Sequence, residues 1–143
     1  GLSEVEGVIL RYYTGQGASI LNGALYGGQP SQQIEQLAEI MQQALSKLPN
    51  YQGIVIRRTN LRELLKQHTV GNIVEYPAFI SGSFGGIEVF SEKLHRLEIV
   101  SIKGKRIDWI SDSDENEVGF LLGSRFRVIN KLGRGFFELR ELG

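Results

Sequence analysis

The chain contains no cysteine, and that absence excludes disulfides, zinc–thiolate centres and thiol catalysis together. A cysteine-free chain tolerates passage between reducing and oxidising compartments, which is compatible with secretion. The sequence also lacks an apolar run near the roughly 18 residues that a membrane span needs. Its first residues, Gly1-Leu2-Ser3-Glu4, include neither a basic region nor a hydrophobic stretch of the signal-peptide kind. A charge excess of either sign is missing too, since 16 basic residues balance 16 acidic ones. There is accordingly no global electrostatic case for nucleic acid or an anionic membrane as partner. The two histidines, His68 and His95, lack the helical spacing of a metal pair and stand in no triad context, so they read as ordinary surface or strand residues.

What is present is enough apolar material for a folded core: 41% hydrophobic residues in a chain of 143, most simply one domain spanning residues 1–143. An apolar run, Val8 to Thr14, leads into Gly15-Gln16-Gly17 and a short helix over Ala18–Leu25. Pro30-Ser31 opens a second helix, because Ile34, Leu37, Ala38, Met41, Ala44, Leu45 and Leu48 recur at three- and four-residue spacing until Pro49 stops them. This helix is expected over about Ser31 to Leu48.

Beyond Pro49 the period changes. Gly53–Arg58 reads as a strand, Leu61–Gln67 as a short helix, and Ile73-Val74-Glu75 with Pro77–Ser83 as a loop entering another strand. Ile87–Phe90 and Leu94–Ile102 are expected strands, Gly104-Lys105 a turn, and Arg106–Ile110 short and irregular. Strands over Val118–Leu122, Arg125–Asn130 and Phe136–Leu142, with a turn at Gly133-Arg134-Gly135, complete the chain. Helices first and strands later indicate an α+β fold rather than alternating βαβ units.

Four features could carry chemistry. Gly15-Gln16-Gly17 invites a dinucleotide-fingerprint reading, but Ile20 stands where the third glycine belongs, so these glycines read as turn formers. Arg57 closes an apolar strand, and a guanidinium on a rigid strand suits bidentate contact with phosphate. Taken alone, it reads more readily as a solvent-facing or carboxylate-paired edge arginine. Ser81 and Ser83 alternate, so both hydroxyls could face one cleft, although serines flanking a glycine are also ordinary loop punctuation. Glu115-Asn116-Glu117 fits either a solvated acidic turn or a site. Glu117 abuts Val118-Gly119-Phe120, where a carboxylate is partly desolvated and accurately held.

The ordered combination is more specific than its parts. Arg57 on a strand, Ser81-Gly82-Ser83 at a strand start and Glu115-x-Glu117 before a strand resemble the R-S-E class of mono-ADP-ribosyltransferases. Arg11-Tyr12-Tyr13-Thr14 with Ile20-Leu21-Asn22 and Leu25 is similar to that family's helical N-terminal segment. Leu48 to Arg57 is similar to its Arg strand, Ala78 to Ser83 to its Ser motif, and Ser101 to Ile107 to the small turn before its glutamates. Glu115 to Val128 is similar to its final signature, so the likeness runs from Arg11 to Val128.

The resemblance implies an ADP-ribosyltransferase-like α+β fold, with N-terminal helices packed on a split, mostly antiparallel β-sandwich and an NAD cleft. It implies NAD as co-substrate, without a metal. Arg57 would contact the phosphates and ribose of NAD, Ser81 would hold Glu117, and Glu117 would bond the nicotinamide-ribose 2′-hydroxyl and stabilise the oxocarbenium-like centre. Glu115 would face an acceptor arginine, the backbone of Arg58 would meet the nicotinamide amide, and Phe84 or Phe90 would stack on nicotinamide. Arg58 stands where the family commonly has glycine and is expected to crowd or recharge the cleft. Gly82 stands for Thr, a change expected to be tolerated, and Gly119 stands for a larger apolar residue, loosening its strand.

The implied reaction is transfer of ADP-ribose to an arginine of a target protein by the catalytic domain of a secreted bacterial toxin or effector. Such a domain would act as a monomer in the target-cell cytoplasm, away from membranes. An immunity or inhibitor protein covering the cleft is a further implied partner. The alternatives are an NAD glycohydrolase, a nucleic-acid or small-molecule acceptor, and a non-catalytic interaction module.

Overall fold

The computed structural model describes residues 1–60, 66–86, 93–110 and 116–143. The expected helix over Leu61–Gln67 lies largely outside them, and the expected strand Ile87–Phe90 wholly so.

The chain opens with helix α1, Glu4–Tyr12. Ser3 caps it reciprocally: its hydroxyl accepts from the Glu6 amide at 3.2 Å, and the Glu6 carboxylate accepts from the Ser3 amide at 2.8 Å. Tyr13–Gly17 forms a single π-type turn, and α2 follows over Ala18–Tyr26. Helix α3, Gln32–Ser46, starts at an N-cap where the Ser31 hydroxyl accepts from the Ile34 amide at 3.3 Å. Its buried stripe, Ala38, Met41, Ala44 and Leu45, is the one expected from the three- and four-residue spacing. An ion pair between Lys47 and Glu6 at 2.7 Å ties the end of α3 to the start of α1. Because the Lys47 ammonium is its first hydrogen-bond partner, the Glu6 carboxyl is held below the usual carboxylate range.

Among the described residues seven strands follow: β1 Asn50–Thr59, β2 Ile73–Glu75, β3 Ser81–Ser83, β4 His95–Arg106, β5 Glu117–Gly119, β6 Arg125–Gly133 and β7 Phe136–Glu141. Their order is β1-β3-β5-β4-β7-β6-β2, with β1 also paired to β4. The pairings β1–β3, β3–β5, β5–β4 and β4–β1 therefore return on themselves, while β7, β6 and β2 extend from β4. Among the described residues the β4–β7 pair is parallel and the other pairs are antiparallel.

Two cores result. Within the sheet, Val55, Ile80, Leu97, Ile99, Val118, Phe126 and Leu139 pack together. Between helices and sheet, Leu10, Tyr13, Leu21, Met41, Leu45, Phe79 and Ile107 form a second cluster. Fully burying side chains of this kind contributes on the order of 1.5–3 kcal/mol each before entropy is counted.

The expected turn at Gly104-Lys105 is instead part of β4, which carries a bulge there. The register with β1 slips between Tyr51↔Gly104 and Gly53↔Ser101. The Ser101 hydroxyl occupies the slip, donating to the Tyr51 carbonyl at 2.9 Å and accepting from the Gly104 amide at 3.1 Å. The Lys105 ammonium donates to the Leu48 carbonyl at 2.7 Å and the Asn50 side chain at 2.6 Å, anchoring the strand to the exit of α3. Strand β5 is shorter than the apolar run Val118–Leu122 suggests: Phe120 makes one further bond to the Ile80 carbonyl at 2.9 Å, and the chain then turns.

Candidate active site

A cleft of about 540 Å³ opens between the N-terminal helices and the paired strands. One wall carries Arg57, Thr59, Ser81 and Glu117, and the other Tyr13, Asn22 and Tyr26 from the π-type turn and α2. Three residues singled out from the sequence, more than 20 positions apart, thus line one cavity.

Strand register brings them together. Ser83 pairs with Ile56 of β1 on one side and with Glu117 of β5 on the other, while Ser81 pairs with Gly119. Directly opposed residues of an antiparallel pair share a face, as do alternate residues of one strand. Ser81, Ser83 and Glu117 therefore stand on one side of the β3–β5 pair. Arg57 crosses from β1, and its Nη1 donates to the Ser81 carbonyl at 2.9 Å. Glu117 is buried, with 7% of its surface exposed. The residue before it, Asn116, has φ of 49°, a left-handed conformation that asparagine adopts more readily than most side chains. Mutual bonds to Phe84 steady it: the Phe84 amide donates to the Asn116 carbonyl at 3.0 Å, and the Asn116 side-chain amide donates to the Phe84 carbonyl at 3.5 Å. The chain thereby turns sharply into β5 and aims Glu117 at the cleft.

Gly82 reports how closely β3 approaches β1. A Cβ there would lie 2.6 Å from both the Ile56 carbonyl oxygen and Val55 Cγ1. Position 82 faces packed backbone rather than the cleft, so the threonine expected to be interchangeable with it is not accommodated without a shift. Gly119 lets the helical layer settle on β5, its missing side chain facing Ile107 and Leu45 at 3.3 and 3.8 Å.

Arg58 follows Arg57 on the strand and so points to the opposite face, where its guanidinium lies 5.2 Å above the Phe136 ring. Its side chain neither lines nor crowds the cleft. Phe84 packs 5.2 Å from the Tyr51 ring beneath the Arg106 guanidinium at 4.5 Å, and the cleft lining does not include it. Glu115 and Phe90 lie outside the described residues. His68, expected at the surface or in a strand, is buried, with Nε2 2.6 Å from the Tyr76 hydroxyl.

The helical wall was not assigned from the sequence. Tyr13 and Asn22 would point to opposite sides of one regular helix, nine residues being two and a half turns. The π-type turn breaks that phase. Gly15 takes φ −94° and ψ −116°, a non-helical conformation inside the turn, and lines the cleft. Across the kink the Asn22 amide donates to the Tyr13 hydroxyl at 3.2 Å, which donates to the Phe79 carbonyl at 3.2 Å; Asn22 Oδ1 accepts from the Phe79 amide at 3.0 Å. Both backbone groups of Phe79, two residues before Ser81, are thus held by the helices. Burial foremost, opposed by the bond from Asn22 and joined by the charge of Glu117, pushes the Tyr13 hydroxyl up to about 12. Burial likewise raises Tyr26, opposed by the positive charge of Arg57. A lone tyrosine–asparagine pair at this spacing could have been found only by anticipating the kink.

No protein-family model matches the chain. It is 34% identical over 142 residues to Mav of Mycobacterium avium (strain 104), provisionally named an NAD(+)–arginine ADP-ribosyltransferase, covering 92% of this chain and 17% of that protein. It is 32% identical over 142 residues to Tre1 of Pseudomonas putida (strain GB-1), named an NAD(+)–protein-arginine ADP-ribosyltransferase, covering 95% of this chain and 28% of that protein. The chain therefore spans well under a third of the length of these curated relatives. Among solved structures it is similar to the type III effector XopAI of Xanthomonas axonopodis pv. citri, with a TM-score of 0.86 and 21% identity, covering 99% of this chain and 64% of that one.

Proposed function

We propose that this chain, which belongs to the ADP-ribosyltransferase family, transfers ADP-ribose from NAD to an arginine side chain of a target protein and releases nicotinamide. The observation that carries the reading is the buried Glu117 carboxylate, register-locked on β5 and facing the same cleft as Arg57 and Ser81. The cleft suits the substrate. Its volume falls within the roughly 300–1,000 Å³ usual for small-ligand sites. Among the described residues of its lining, Arg57 and Lys93 set two positive charges against the carboxylate of Glu117, which favours a diphosphate.

In the proposed reaction the bond between the nicotinamide nitrogen and ribose C1′ breaks, and its electron pair leaves with nicotinamide. Positive charge develops over C1′ and the ring oxygen. The Glu117 carboxylate, partly shielded from water, stabilises that charge and accepts from the ribose 2′-hydroxyl. Arg57 holds the phosphates, with its guanidinium steadied on the Ser81 carbonyl. A guanidinium nitrogen of the acceptor then bonds to C1′ and gives up a proton to the Glu115 carboxylate. Glu115, two residues before Glu117, takes the acceptor-facing role, and the arginine specificity in the names of Mav and Tre1 supports that choice.

We further propose that residues 1–143 act as the catalytic unit of a secreted bacterial effector, monomeric and working in the cytoplasm of a target cell, with an immunity protein that blocks the cleft. The similarity to XopAI, a type III effector, supports delivery of this kind. No helix among the described residues is long and apolar enough to cross a membrane.

The test is incubation with NAD labelled on its adenine portion, alone and with a cell lysate. Nicotinamide release with label retained on protein arginine is the expected result. Release without labelling makes water the acceptor, and no release at all leaves only a binding module.

A further inference from the structure

We infer that Glu141, the last residue of β7, is a positioning residue for Glu117: its buried carboxylate fixes the bulge of β4 against which β5 is seated. The inference rests on the reading of Glu117 as the carboxylate that stabilises charge at C1′. Strand β4 changes partners along its length. Up to Val100 it pairs with β7, and past the bulge Lys105 and Arg106 pair with Gly119 and Val118 of β5. At the changeover, Ile102 and Lys103 have no registered partner among the described residues of β1, β5 or β7. Their amides converge on one atom instead: Glu141 Oε1 accepts from Ile102 at 2.8 Å and from Lys103 at 2.7 Å. Successive amides of a regular strand point to opposite edges, so two on one acceptor require the bulge. Glu141 is 3% exposed, and its Oε2 is buried with no hydrogen-bond partner among the described residues. Leaving half of a buried carboxylate unsatisfied costs stability. What it secures is geometry.

That geometry reaches Glu117 by two short routes. Gly104 follows the clipped amides and lies so close to β5 that a Cβ there would stand 2.7 Å from Val118 Cγ1 and 3.0 Å from Phe120 Cε1. Past the pairs at Lys105 and Arg106, the Ile107 amide donates to the Glu117 carbonyl at 3.0 Å. Strand β5 is three residues long, too short to hold its own place, so it follows the segment of β4 beside it. The charge of Glu141 has a second use. Burial, the leading influence, holds the Lys105 ammonium below its usual range, and the negative charge of Glu141 opposes that. Lys105 in turn anchors the same segment to the exit of α3.

The test sets Glu141→Ala and Glu141→Gln against wild type, each assayed for nicotinamide release and melting temperature. Glu141→Ala should lower kcat roughly tenfold with KM for NAD within about twofold, because misplacing the stabilising group slows the step while the rest of the cleft still binds. Glu141→Gln keeps an oxygen for the two amides but puts an N–H donor where Oε2 finds no partner. Its kcat should return to within about threefold of wild type, while its melting temperature stays below wild type. Activity restored without stability is a separation that a merely structural residue would not show. Unchanged kcat in Glu141→Ala overturns the inference, as does a kcat in Glu141→Gln that falls in step with its stability. A matching rise in KM would make Glu141 a general support of the cleft and overturns it too. If Glu141→Ala does not fold, Glu141→Asp, one methylene short of the two amides, takes its place with the same expected split. If wild type releases no nicotinamide, the reading of Glu117 falls and this inference with it. An active wild type with an unaltered Glu141→Ala defeats only the role given to Glu141.

Discussion

Arg57, Ser81 and Glu117 stand on three strands whose register is set by shared backbone bonds, whereas Tyr13, Asn22 and Tyr26 stand on helices joined across a kink. The strand wall carries a cation, a carboxylate and a hydroxyl in places that shift only if the sheet shifts. The helical wall carries neutral groups that reach over and grip the strand wall at Phe79. Charge, then, is concentrated where geometry is stiffest, and the second wall works through hydrogen bonds that aim and steady the first. If that division is correct, damage to the two walls should differ in kind. Strand-wall variants should lose chemistry with little loss of fold, and helical-wall variants should lose both in moderation.

The largest effect is expected at Glu117. Replacing it with glutamine keeps shape and removes the carboxylate, and nicotinamide release should fall on the order of 10²–10³-fold, the usual scale for one electrostatic stabiliser. The melting temperature should move by a few degrees at most. Near-normal release would undo the contrast between the walls, because the carboxylate would then not be the stabilising group.

Gly82→Thr is expected to act on the strand wall through stability instead. The added Cβ would meet the Ile56 carbonyl and Val55 at 2.6 Å, and overpacking of this kind costs roughly 1–3 kcal/mol. Denaturant unfolding should show that loss, with Ser81 and Glu117 displaced together and activity lowered. A fully stable Gly82→Thr variant would mean that β1 and β3 are less closely apposed than described.

On the helical wall, Tyr13→Phe leaves the Asn22 amide and the Phe79 carbonyl without the hydroxyl that joins them, which costs about 1–3 kcal/mol. It also has a pH signature. Tyr13 is raised from 10.0 to about 12 in the folded chain, so the folded state holds its proton more tightly than the unfolded one. The stability this contributes is complete below pH 10 and is lost as pH rises toward 12. Melting curves of Tyr13→Phe should therefore flatten over that alkaline range relative to wild type. An identical alkaline slope would remove Tyr13 as its source.

The smallest effect on NAD cleavage is expected from Glu115→Ala. Hydrolysis should stay within a few-fold of wild type while labelling of protein arginine is lost. Equal loss of both activities would assign Glu115 to the cleavage step and merge two roles now kept apart.

The strand wall was legible in the sequence because its signals are local. Arg57 ends an apolar run, Ser81 and Ser83 alternate, and Glu117 abuts a second apolar run, so each could be read within a few residues. The bulge at Ser101–Gly104 read as a turn because Gly-Lys ordinarily punctuates. What keeps the strand going is the Ser101 hydroxyl bridging the slip, a contact with Tyr51 fifty residues away. The aromatic candidates show the same limit. Phe84 is spoken for by Tyr51 and Arg106, and among the described residues the aromatic rings that line the cleft belong to Tyr13 and Tyr26.

By itself the sequence determined the class of fold, the stripe of α3 and the identities of the charged groups, because periodicity and short motifs act over a turn of helix or a few residues of strand. Tertiary structure alone decided that those groups share a cleft, that only glycine fits at position 82, and that a kink at Gly15 turns Tyr13 and Asn22 toward each other. These outcomes depend on strand register and on a break in helical phase, both set by contacts between residues far apart in the chain.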